Sequence, residues 1–483
     1  MTSTLYRGRE DLERQGDIKI FLLDPFCRIC VVHSIERVVQ NEGHWTRDVR
    51  LWLMSGLLGL IRSVAAPAAS LLIAMMGNAF LTTFLGMYLK RSGYGFEIVG
   101  QFSSVYNTGL FVGAFFVERF IAHVGFIRAF SVLASFFSFC VVMMGIEHSI
   151  ALWFVLRFFE GVCTAGILVV VESWILIFSP IQLRGTVLSI YMVSYYLAIA
   201  AGQSILRWIS FQGFHPFAYV IALSTLSVIP VGMMRMSSPI VQEGGYVGPV
   251  RLFKLSPLGC LSSFVGGIIL SSLYGLVPPL LEQVGCSVKG VSSIMTLTVL
   301  GGTLLQWPFG YVSDRMDRTK VSLFLHFFTL VSCVILSSLI STSLESMASF
   351  LFASFLFGCA AFSIYPVGIS MVCEHVSRYE IVAATGGMLL FFSVGSVVGP
   401  LVIPICVQFF SLGEGGIYIC FAVLLALLFT YGCLEKVFLW GSQFYPLRAE
   451  SRPSLPSLTH SPSDSPKPQE DELTEQHNHD HLI

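Results

Sequence analysis

Long apolar stretches separated by short polar connections dominate the chain from about residue 64 to residue 440. Twelve of them can be delimited, at approximately 64–89, 98–121, 126–146, 150–177, 185–208, 215–235, 257–281, 290–312, 321–342, 346–373, 381–410 and 415–438. Each approaches or exceeds the roughly 20 residues that a helix needs to cross a hydrocarbon core of about 30 Å. The stretches lack the strict alternation of barrel strands, and in lipid each backbone N–H must find its acceptor within the segment. The pattern therefore predicts an all-α integral membrane protein with twelve transmembrane helices.

Composition agrees: 54% of the 483 residues are hydrophobic and 12% are charged, against about 25% charged in ordinary soluble domains. A formal net charge of -1 gives no electrostatic footprint for nucleic acid. Lys and Arg fall unevenly between the two sets of connections. One set carries Lys90, Arg91, Arg207 and Lys289; the other carries Arg119, Arg128, Arg184, Arg235, Arg251, Lys254, Arg315, Arg318, Lys320 and Arg378. The positive-inside rule then places both termini in the cytoplasm of a multi-pass protein of the plasma (inner) membrane.

The ends differ from the middle. Residues 1–63 are mixed and charged, and "IKIFLLDPFCRICVV" is too short and interrupted to span, so the stretch reads as a cytoplasmic or interfacial extension. Residues 441–483 are rich in Ser, Pro and acid, a composition that buries too little to fold and predicts a disordered cytoplasmic tail. The polar stretch 236–256 falls between the sixth and seventh spans. It divides the chain into a first six-helix half, 64–235, and a second, 257–440.

Weak internal duplication supports that division. "ERFIAHVGFIR" after the second span matches "GYVSDRMDRTK" after the eighth in length and basic ends; Gly161 aligns with Gly358, and the Ala198, Gly202 seam with the Gly395, Gly399 seam before Pro400. Small residues four apart let helices approach closely. The twelve cysteines are scattered, mostly within apolar runs, and imply no disulfide framework; "CRIC" lacks a second pair at zinc spacing, and the "HNHDH" tail reads as solvated rather than as a metal site. No HExxH, no GxSxG before a helix and no phosphate-binding glycine loop occurs, so neither an enzyme nor a cofactor is expected.

"GYVSDRMDR", Gly310 to Arg318, is similar to the GxxxDRxxR signature of the major facilitator superfamily; "RFFEG" resembles the RxxxG of its fourth helix, and "VGSVVGP" its GxxxGP motif. "VESW", "RGTVLSIYMVSYYL" and "SIYPVGI" together resemble the YcaD-like branch. The sequence departs from the pattern at Glu118 and Ala122, where the first-half signature has Gly and Asp, and at Gln203, which follows Gly202 where Pro is expected. The resemblance implies the major facilitator fold, two six-helix halves related by a pseudo-twofold axis, in a monomer that carries a small-molecule substrate. It also implies a cytoplasmic gate in which Asp314, with Gly310, Arg315 and Arg318, latches onto Arg184 at the start of the fifth helix. The first, fourth, seventh and tenth helices would line the substrate cavity, which singles out Asn78, Tyr274 and Tyr365. Pro366 would open the tenth helix locally.

Three charges within the fourth span pose the sharpest question. Arg157 and Glu160 are one turn apart, and Glu172 lies about 60° round and roughly 22 Å further along an ideal helix. Charge in hydrocarbon costs about 2.5–3.5 kcal/mol per residue on insertion scales, so these three need partners or water. Arg157 and Glu160 are either a self-neutralising structural pair or, with Glu172, proton-coupling groups on one wet stripe. The expected function is a proton-coupled secondary transporter of a small organic solute; a uniporter without coupling, or a non-transporting sensor or scaffold, are the alternatives.

Overall fold

The computed structural model describes the backbone of residues 47–443 except 179–183, 212, 234–247, 314, 342–345 and 377–379; within the helices, the side chains of 47–64, 118, 176, 178, 184–190, 307, 381–383 and 437–443 are not among those described. Thirteen helices occur among these residues, in the order α1 Arg47–Arg91, α2 Phe96–Val124, α3 Phe126–Ile146, α4 Ile150–Phe178, α5 Arg184–Ile205, α6 His215–Gly232, α7 Pro249–Leu255, α8 Pro257–Gln283, α9 Val288–Ser313, α10 Arg318–Ser341, α11 Met347–Cys373, α12 Ile381–Phe409 and α13 Gly416–Gln443. Twelve are long, and ten of those are apolar enough over their described residues to cross a membrane. By contact the chain divides into two compact units, Met1–Cys433 and Leu434–Ile483.

The long helices match the apolar stretches, with instructive differences. α1 begins at Arg47, some way before the expected residue 64. "LWLMSGLLGLI" is leucine-rich and proline-free, so nothing in it stops helical hydrogen bonding from propagating upstream of Pro67. The stretch between the halves holds a short helix, α7, entered through Gly248 with Pro249 at its first position. Its Leu252 is buried against Cys260, Val372, Ala384 and Met388, so this end of the connection docks on the second half. Pro366 does not break α11, which runs unbroken from Met347 to Cys373; the missing amide removes one hydrogen bond while the flanking turns stay packed.

Helix pairings repeat between the two sets of six. α2 packs on α4 as α9 packs on α11, α1 on α5 as α8 on α12, and α3 on α4 as α10 on α11. The two sets meet through the equivalent pairs α2–α12 and α5–α9, and through α1–α8. Glycines set these crossings. A Cβ on Gly161 would overlap the Tyr106 carbonyl oxygen, and one on Gly109 the Phe158 carbonyl oxygen; in the second set Gly358 meets the Thr298 carbonyl oxygen and Gly301 that of Phe355. The reciprocal contact is thus built twice at the same spacing. Gly202 lies against Met76, Gly395 against Phe264 and Gly399 against Ile268, so both expected small-residue seams are backbone contacts. Pro400 belongs to the joint between the sets, its carbonyl oxygen facing Gly100 of α2.

Candidate functional site

Polar contacts between the two sets of helices cluster at one end of the bundle, where the α1–α2, α5–α6 and α8–α9 connections lie. Arg91 of α1 donates to Glu282 of α8 at 2.6 Å, and its guanidinium lies 4.4 Å from the centre of the Phe211 ring. Ser292 of α9 donates to the Gln203 carbonyl at 2.6 Å, Ser204 lies 3.1 Å from Thr296, and Ser104 of α2 donates to the Val397 carbonyl at 2.8 Å. Gln203, fully buried, also accepts from Thr83 and donates to the Ala79 carbonyl, so the residue standing where the motif has proline ties α5 to α1 and α9 together. At the opposite end, where α2 ends and α10 begins, Arg318 pairs with Glu374 within the second set, and Arg251 of α7 pairs with Glu380 at the start of α12.

A cavity of about 190 Å³ lies inside this closed end. Its walls come from α1 (Met75, Asn78, Ala79, Thr82), α2 (Ser103, Tyr106, Asn107, Leu110), α5 (Tyr195, Tyr196, Ile199), α8 (Leu270, Ser271, Tyr274), α11 (Phe362) and α12 (Phe392, Ser396). None of these side chains carries a formal charge. Phe362 sits 5.4 Å from Tyr196 and 6.3 Å from Tyr274, edge-to-face with both, and Tyr196 touches Tyr195 at 5.4 Å. Asn78 Nδ2 donates to the Tyr106 hydroxyl at 2.8 Å, which leaves Asn78 Oδ1 without a partner; the Tyr274 hydroxyl has none either.

Behind Tyr106 and Thr82 lies the charged pair of α4. Arg157 and Glu160 are 1% and 0% exposed. Arg157 Nη1 donates to Glu160 Oε2 at 2.8 Å and Nη2 to Thr82 Oγ1 at 2.9 Å, while the guanidinium rests 4.1 Å from the centre of the Tyr106 ring. Arg157 Nε and Glu160 Oε1 remain unpartnered. A buried pair of this kind is costly to desolvate and is held by its hydrogen bonds and the ring face. Counting back from the equivalent Gly161 and Gly358, the positions of Arg157 and Glu160 correspond to Ser354 and Phe357 of α11. The same helix crossing is therefore built in the second set without any ion pair.

Glu172 stands apart. It is twelve residues beyond Glu160, about 18 Å along the helix, half-buried, with Tyr191 of α5 and Tyr365 of α11 as its titratable neighbours. Asn78 and Tyr274 line the cavity, whereas Tyr365 does not; it packs on Phe392 at 4.7 Å and faces the Glu172 level. Of the expected gate, Asp314 lies outside the described residues, as does the Arg184 side chain. Arg318 pairs with Glu374 at 3.0 Å and donates to the Ser370 carbonyl, both at the end of α11, and Arg315 lies on the Tyr311 ring and donates to its hydroxyl. Gly310 is exposed, with nothing within 4 Å of where a Cβ would be, so no described helix closes on it.

The sequence reading missed Thr82, Tyr106, Tyr196 and Phe362. Tyr106 and Tyr196 lie on α2 and α5, helices outside the path-lining set that the resemblance implied. In sequence they look like the other tyrosines of the apolar spans. The useful signal for Tyr106 was its neighbour Asn107 in "SSVYNTG", a polar break in an otherwise apolar span.

The Major Facilitator Superfamily model matches residues 259–463. Over 352 residues the chain is 31% identical to an uncharacterized MFS-type transporter of Yersinia pestis, covering 72% of this chain and 90% of that protein. It is 30% identical over the same length to the uncharacterized MFS-type transporter YcaD of Salmonella enteritidis, with the same coverage. Among solved structures, the nucleoside transporter NupG superposes with a TM-score of 0.63 at 12% identity, over 77% of this chain and 98% of that one. A D-xylose-proton symporter superposes with a TM-score of 0.63 at 13% identity, over 77% and 97%. By its relatives and by its fold, the chain belongs to the major facilitator superfamily of membrane transporters.

Proposed function

We propose that the protein is a secondary active transporter, moving a small organic solute by alternating access between two six-helix halves and coupling that movement to protons. The cavity walled by both sets of helices carries this reading: it lies on the joint between them, and Arg91–Glu282 and the Gln203 hub tie the two sets together at one end of that joint. A site between repeats, opened by rocking one against the other, is the general design of such carriers. The Lys and Arg distribution favours the outside for the clasped end, and the cytoplasm of the plasma membrane for the opposite end and both termini. The outward-open state would form when this clasp parts and Asp314 of the second half meets the start of α5, where free N–H groups and Arg184 offer positive potential.

Proton coupling is assigned to α4. Arg157 keeps its charge at any relevant pH, and Glu160 is its partner. Glu172 has no arginine beside it among the described side chains and lies at the level of Tyr191 and Tyr365, between the cavity and the end opposite the clasp. A carboxyl group that meets water in one state and a dry wall in the other takes up a proton and releases it as the states interchange. The test is reconstitution into liposomes loaded with a pH-sensitive dye, with neutral, cationic and anionic organic solutes added outside. Movement of protons together with at least one solute supports the reading; solute movement that ignores the pH gradient would make the protein a uniporter.

A further inference from the structure

The unspent hydrogen-bond donors of the cavity wall all belong to the first set of helices. Ser103, Tyr195 and Tyr196 line it with hydroxyls that bond to no described residue, and Asn107, whose Nδ2 donates to the Ser103 carbonyl, keeps its amide oxygen spare. Thr82 of α1 joins them, half-buried and with a fixed role: its oxygen accepts from Arg157 Nη2, and its O–H donates to no described residue. The second set contributes Leu270, Phe362, Phe392 and the ring of Tyr274, with Ser271 and Ser396, whose hydroxyls already donate to carbonyls of their own helices. Asn78 Oδ1 and Tyr274 Oη are sealed from the cavity and recognise nothing in it.

Resting on the transporter reading above, we infer that Thr82 selects the solute: its O–H donates to an oxygen acceptor on a compact, uncharged molecule whose polar edge lies on the first set of helices and whose apolar face lies on Phe362 and Phe392 of the second. Arg157 sets the direction of that bond. A guanidinium has no acceptor, so the Thr82 proton cannot turn back onto it, and a hydroxyl that accepts from a charged donor gives a stronger bond in turn. Threonines within helices commonly spend their proton on the carbonyl four residues back, as Thr108 and Thr164 do; Thr82 does not. Arg157 and Glu160 neutralise one another behind the wall and no charged side chain lines it, so an ionic solute would be desolvated without a counter-ion. A solute hydroxylated all round would turn several O–H groups towards Leu270, Phe362 and Phe392, and each unmet hydroxyl costs affinity. Size points the same way: the cavity's 190 Å³ is below the roughly 300–1,000 Å³ of pockets that bury drug-sized ligands.

The test is equilibrium dialysis of the purified full-length protein in nanodiscs, with uptake by empty nanodiscs subtracted. Five radiolabelled probes are used: acetophenone, its isostere α-methylstyrene, benzoate, benzyltrimethylammonium and myo-inositol. Acetophenone is expected to bind about tenfold more tightly than α-methylstyrene, which carries a methylene group in place of the carbonyl oxygen. In Thr82→Val the two should bind alike, and Thr82→Ser should restore the preference. In the double variant Arg157→Met with Glu160→Leu, Thr82 is intact but free to turn its proton to the Asn78 carbonyl four residues back, so the preference should shrink. Equal affinity of the matched pair for the unaltered protein, a preference that survives Thr82→Val or is undiminished in the double variant, or tighter binding of benzoate, benzyltrimethylammonium or myo-inositol overturns the inference. The matched pair on the unaltered protein and the double variant decide the matter even where Thr82→Val does not fold. Each of these results leaves the transporter reading standing, since that is decided by flux and not by which probe fills the cavity.

Discussion

The Arg157–Glu160 pair gives the most exacting prediction, because burial makes its two partners unequal to anything that replaces one of them. In Glu160→Leu the guanidinium would stay 1% exposed, with Thr82 and the Tyr106 ring as its remaining partners. Stranding one member of a buried pair costs about 3–5 kcal/mol, a large share of the roughly 5–15 kcal/mol that holds a folded domain together. Replacing both, as Arg157→Met with Glu160→Leu, removes the stranded charge, and apolar replacement of buried pairs is close to neutral or stabilising. Ser354 and Phe357 hold the equivalent positions on α11, so the fold supports this crossing without ions. Thermal unfolding of the purified protein should therefore show Glu160→Leu melting well below the parent and the double variant recovering most of the loss. In liposomes, the double variant should be inserted and monodisperse yet inactive. A double variant that moves solute with the parent's dependence on the pH gradient would show the pair to be packing alone; a Glu160→Leu protein that melts like the parent would refute the reasoning from burial.

Three further outcomes follow from the geometry. Glu172→Gln should abolish dependence of flux on the pH gradient while solute exchange, which needs no net proton movement, persists; uphill transport driven by pH alone in this variant would remove Glu172 from the mechanism. Gly161→Ala and Gly358→Ala each drive a Cβ into a carbonyl oxygen of the facing helix, so each should cost about 1–3 kcal/mol or more in thermal melts, whereas Gly310→Ala, with open space around it, should melt like the parent. Glu282→Gln breaks the clasp with Arg91, whose side chains are 19% and 42% exposed, so the loss is only about 0.2–1 kcal/mol; labelling of a cysteine at Thr296 by an impermeant thiol reagent should rise up to about fivefold, and an unchanged rate would count against a gate at that end.

Most of the fold could be read from the sequence because membrane helices announce themselves by length and polarity. The span boundaries fall within a few residues of α3, α4, α8 and α11, and the corresponding Gly161 and Gly358 each sit against a carbonyl oxygen of the facing helix within their own set of six. The upstream start of α1 was missed because the charges around "RDVR" masked a leucine-rich stretch that continues the helix. The site was less legible. Arg157 and Glu160 drew attention as charges in an apolar run, and Asn78 and Tyr274 through the resemblance, but the aromatic wall formed by Tyr106, Tyr196 and Phe362 comes from three helices distant in sequence. No local pattern distinguishes such rings from ordinary core. The single wet stripe expected on α4 became two levels, a sealed pair behind Tyr106 and a separate carboxylate beside Tyr191 and Tyr365, because α2 covers the first level and α5 and α11 frame the second.

The central claim, that proton uptake drives an exchange between two oppositely gated states, is tested most directly by distance measurements that need no knowledge of the solute. Spin labels at Ser92 and Ser287 report the clasped end across the α1–α8 joint, and labels at His123 and Met316 report the opposite end; all four positions are exposed. Pulsed electron resonance on protein in nanodiscs, taken from alkaline to acidic pH, should show one distance lengthen as the other shortens, and the change should disappear in Glu172→Gln. Distances that stay fixed across that range, or that lengthen together, would contradict the account.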